Sequence, residues 1–77
     1  MPKLTEEVIA NEYKHFMFIG LNFPNYTKER LIELIGYNVS MYPFAEGETE
    51  DSRKKTIEKV VTEMAKETGY EFSEESD

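Results

Sequence analysis

The chain has one histidine, His15, and no cysteine, which leaves little material for a catalytic centre. A lone imidazole can act as a general base near neutral pH. Catalysis also needs a partner group within hydrogen-bond reach, and the sequence marks none. His15 is therefore read as an exposed helical residue. Glu48 and Glu50 are spaced like a carboxylate pair, but glycoside hydrolysis needs a rigid cleft, and 77 residues are few to wall one. The run Glu46-Gly47-Glu48-Thr49-Glu50-Asp51 holds oxygen ligands without the order of a calcium loop. The four glycines lie far apart, so no loop can cradle a phosphate. The expectation is a protein that is not an enzyme and uses no metal or cofactor.

The charged residues are more informative. The formal net charge is -7, and residues 46–77 hold eleven acidic side chains against five basic ones. The acids form two clusters. One is Glu46, Glu48, Glu50 and Asp51; the other is Glu67, Glu71, Glu74, Glu75 and Asp77. Glu63, Glu67 and Glu71 recur every four residues, so on a helix they would stand in one row about 5–6 Å apart. That interval is similar to the phosphate spacing along a DNA strand, and Glu58, Glu74, Glu75 and Asp77 could extend the row. Such a surface repels nucleic acid and anionic membranes and attracts basic protein surfaces. The opposing patch, Arg53-Lys54-Lys55 with Lys59, directly follows acidic residues and reads as neutralised by them. Direct nucleic-acid binding needs uncompensated positive charge, and the overall balance runs the other way.

In these bulk features the chain resembles the small acidic proteins by which bacteriophages disable host DNA-associated proteins. The resemblance rests on the Glu46–Asp51 cluster and on Glu63, Glu67, Glu71, Glu74, Glu75 and Asp77, with no shared motif. It implies a DNA mimic that inhibits a basic nucleic-acid-binding protein such as a sliding clamp, nucleoid protein, polymerase or defence nuclease. The expected partner-binding residues are Glu46, Glu48, Glu50, Asp51, Glu58, Glu63, Glu67 and Glu71. The alternative is a helical interaction or regulatory module that binds through exposed aromatic residues.

The elements that must position these residues are legible from periodicity. Ile57, Val60, Val61, Met64 and Ala65 form the apolar stripe of one amphipathic helix. Asp51 or Ser52 is expected to cap its start, and Gly69 to follow its end. A second helix starts after Thr27 and carries Leu31, Ile32, Leu34 and Ile35; it stops at Gly36 or runs on through Val39 towards Tyr42. A first helix starts after Thr5 and presents Ile9, Tyr13, Phe16 and Met17, with Gly20 ending it. The fold class expected is all-α, a small three-helix domain. The alternative is α+β, with a strand near residues 15–23, where side chains that favour strands are dense.

Residues 1–70 are read as one domain and residues 71–77 as an acidic, flexible tail. The opening MPKLTEEV has acids and no apolar run, so neither a leader nor a membrane anchor is expected. With no cysteine, the expected setting is the reducing cytoplasm. Aromatic residues make up 13% of the chain. Phe16, Phe18, Phe23, Tyr26, Tyr37, Tyr42, Phe44 and Tyr70 exceed what one small core needs. Phe16, Phe18, Phe23, Tyr42 and Phe44 are the expected apolar interface, and a homodimer would cover them.

Overall fold

The computed structural model describes residues 3–19 and 26–73. Three helices follow one another: α1 (Glu6–Ile19), α2 (Lys28–Asn38) and α3 (Glu50–Thr68). The fold is all-α, and no strand occurs among the described residues. Residues 15–19 of the alternative strand continue α1, because Phe16 and Met17 stay on the face that packs against the core. The remainder of that segment, like Gly20 and Phe23, lies outside the described residues.

α1 begins where Thr5 accepts a hydrogen bond from the Val8 amide at 3.2 Å. Glu6 and Glu7 occupy its first turn, where negative charge favours the helix dipole. α2 is capped by Thr27, whose hydroxyl accepts from the Arg30 amide at 3.0 Å. Gly36 does not stop this helix. It runs to Asn38, and Val39 closes it by donating its amide to the Ile35 carbonyl.

α3 starts earlier than either cap expected from sequence. Thr49 and Ser52 form a reciprocal capping box: each side chain accepts from the other's backbone amide, at 3.1 and 2.8 Å. Glu50 and Asp51 then fall in the first turn. At the other end Gly69 adopts a left-handed conformation, φ 74°, which lets Tyr70 turn back and donate its amide to Ala65.

Ile9 and Tyr13 from α1, Leu31, Ile32 and Ile35 from α2, Val39, and Ile57, Val60 and Val61 from α3 make the core. α3 packs on both other helices. Tyr13 is fully buried, and its hydroxyl is satisfied by Thr68 at 2.9 Å, which ties α1 to the last turn of α3. The chain after α3 is strapped back over the start of α2. Tyr26 donates its amide to the Tyr70 hydroxyl at 2.8 Å and accepts from the Ser73 amide at 2.9 Å. Phe72 packs against the core between these bonds. The boundary expected at residue 70 thus falls inside this strap; residues 74–77 lie outside the described residues.

Candidate functional site: an acidic surface around a cleft

The eight candidate carboxylates do not form one surface. Glu48 is held inward by Arg53, a member of the basic patch expected to be neutralised by the acids before it. Arg53 is only 6% exposed. Its Nε and Nη2 donate to the two oxygens of Glu48 at 3.1 and 3.0 Å. Nη1 donates to the carbonyls of Tyr42 and Val39, and Nη2 also donates to that of Pro43. The Phe44 ring lies 4.4 Å from the guanidinium carbon. Glu48 also accepts the Ala45 amide at 2.9 Å. These bonds, Arg53 first and Ala45 next, hold the Glu48 carboxyl below its usual pKa against an opposing effect of desolvation. Glu48 is therefore a structural ion-pair partner and not a free docking carboxylate.

Glu46, Glu50 and Asp51 are exposed around the start of α3. Glu63 and Glu67 are exposed one turn apart towards its other end. Glu58 is exposed but off their row. Five residues turn a helix by about 140° beyond a full rotation, so Glu58 and Glu63 border opposite margins of the outward face. Lys55, Lys59 and Lys66 project between those margins. Glu71 is off the row as well. It follows Gly69, where the backbone leaves the helix, so the four-residue interval from Glu67 no longer sets its position. Glu74, Glu75 and Asp77 lie outside the described residues.

Among the described residues, acids engage Arg53 through Glu48, Arg30 through Glu33, Lys54 through Glu29 at 3.9 Å and Lys59 through Glu6 at 3.2 Å. The patch at Arg53-Lys54-Lys55 is thus largely dismantled. One member is buried, and a second faces a carboxylate on α2.

Between α2 and α3 runs a cleft of about 700 Å³. Its lining includes Ile32, Gly36 and Ile57, with Phe44 at one side, and its charged residues are Glu29, Glu33 and Glu50 with Arg30, Arg53 and Lys54. Ile32 and Ile57 are buried, so they form its apolar floor. Phe44 is half exposed, at 51%. Gly36 leaves space there, since a Cβ would still sit 3.9 Å from Ile57.

The expected apolar interface divides. Phe16 is half-buried and stacks edge-on against Tyr26 with ring centroids 6.0 Å apart. Tyr42 is half-buried against the core. Neither is a free surface, because three short helices recruit both to cover the core margin. Phe18 and Phe44 are exposed as expected, and Tyr37 and Met41 join them. His15 is exposed beside Tyr37 and Met41. Among the described residues no three His, Asp or Glu side chains converge as a metal-binding group. None of the described helices is long and apolar enough to cross a membrane. No protein-family model, curated protein or solved structure matches the chain.

Proposed function

We propose that this protein is an acidic binding module that occupies the basic, nucleic-acid-binding surface of a partner protein and excludes nucleic acid from it. Its role is that of a DNA mimic, without a catalytic step of its own. The observation that carries this reading is the charge left after internal pairing. Arg30, Arg53, Lys54 and Lys59 are each paired with an acid of the same chain, Arg53 in a buried pair and the others at the surface, while Glu46, Glu50, Asp51, Glu63 and Glu67 stand exposed with no ion-pair partner among the described residues. Contacts between a basic surface and these carboxylates weaken with added salt, as its contacts with DNA do. The cleft beside Glu50 adds an apolar anchor site, with Phe44 at its edge. The contact set is accordingly narrower than the sequence suggested: the start of α3 with its cleft, then Glu63 and Glu67.

The test is capture of a partner from nuclease-treated bacterial lysate, with elution by salt and challenge by duplex DNA. Release of a DNA-binding protein by both treatments is the expected outcome. Glu50→Lys with Asp51→Lys should weaken capture and flatten its salt dependence; Glu63→Lys with Glu67→Lys should do the same less strongly. The half-exposed Phe44 over the apolar cleft favours a second reading, a helical interaction module that binds through that cleft. A partner that resists salt, ignores DNA and is lost on Phe44→Ala would select it.

A further inference from the structure

The outward face of α1 carries a pattern complementary to itself. Glu7, Asn11, Lys14 and Phe18 are all exposed and follow one another at intervals of four, three and four residues, which places them in a single stripe. Phe18 is 77% exposed. On the neighbouring helix Tyr37 and, just after it, Met41 are 76% and 73% exposed. With His15 they line a shallow depression of about 550 Å³ between α1 and α2. Neither Glu7 nor Lys14 has an ion-pair partner among the described residues.

We infer that this face joins two copies of the chain, their α1 helices antiparallel about a two-fold axis beside Asn11. A two-fold interface sets residue i against j and j against i. With the axis at that point, Lys14 of each copy lies opposite Glu7 of the other. Phe18 crosses to the segment around Leu4, which is half-buried and packed on its own core. The charge pattern selects a second copy over a basic partner. Along this stripe one acid and one base cancel, so a basic surface meets no net attraction. Glu63 and Glu67 share the outward face of α3 with Lys55, Lys59 and Lys66, and these two carboxylates are among the contacts proposed above for a basic partner. Self-association through α1 keeps them on the outside of the pair. A chain of this size also has a small core, and covering Phe18, Tyr37 and Met41 adds apolar burial that one copy cannot supply.

Sedimentation equilibrium over a range of concentrations tests the assignment on the wild-type chain and four variants. The wild type should reach twice the 9.0 kDa chain mass. Phe18→Glu should remain a single chain. Glu7→Lys and Lys14→Glu should each weaken association about tenfold, because symmetry turns one substitution into two repulsive contacts. The combined Glu7→Lys and Lys14→Glu variant should return to wild-type affinity. Circular dichroism confirms that each variant keeps its helices, since all three positions are exposed. A wild type that stays at 9.0 kDa overturns the inference. So does association that survives Phe18→Glu, or a double reversal as weak as the single ones.

Discussion

Arg53 shows how one side chain can change allegiance between sequence and fold. All five of its N–H groups are directed at acceptors within residues 39–48, so it holds that connection against α3. Arg53→Ala should cost about 3 kcal/mol, because Glu48 and the carbonyls around it lose their donors together. Urea unfolding would measure that loss. Arg53→Lys should recover little of it, since a single ammonium cannot reproduce the fork that meets Glu48 with two bonds. The pH dependence follows from Glu48. Its folded pKa lies below the ordinary value of 4.5, so the unfolded chain binds the proton more readily. The stabilisation is complete above that ordinary value and is lost as pH falls through the folded one. Glu48→Gln should flatten the acid limb of a stability-versus-pH curve. The position of Arg53 was open to prediction, because it lies four residues before Ile57 on the same helical stripe. Its basic neighbours Lys54 and Lys55 disguised it as part of a surface run.

At the scale of the elements, apolar periodicity predicted all three helices, and the details it missed depend on pairwise geometry. Thr49, Asp51 and Ser52 are all competent caps, and composition does not choose among them. The choice falls to Thr49 because only that start lets Ser52 return a bond to the cap amide. Thr49→Ala should cost about 1 kcal/mol, read as a lower midpoint in thermal unfolding. Gly69→Ala should cost about as much, with backbone conformation as the sole cause, since no atom lies within 4 Å of the added methyl. The acidic row failed for a related reason. A repeat of four predicts alignment only while the helix lasts, and Gly69 removes Glu71 from it. Gly36 posed the opposite problem: its φ is not positive, so it behaves as an ordinary helical residue and marks no end.

For the whole molecule, net charge was legible from composition, whereas its distribution required the pairing of residues distant in sequence. Lys59 with Glu6 and Lys54 with Glu29 each bridge two helices. No local window contains both members of either pair. Exposed pairs of this kind contribute little to stability, so they matter mainly for the field that they leave behind. Tyr13 with Thr68 is a comparable long-range link, and Tyr13→Phe should lower stability by about 1 kcal/mol through the loss of one part-buried hydrogen bond. That link also has a consequence for synthesis. α1 leaves the ribosome before α3, yet α1 packs mainly on α3, and Tyr13 bonds to Thr68 there. The nascent chain must carry the apolar side chains of that α1 face uncovered until α3 emerges. Premature termination before Ile57 would leave a fragment that exposes them, a ready substrate for chaperones and proteases.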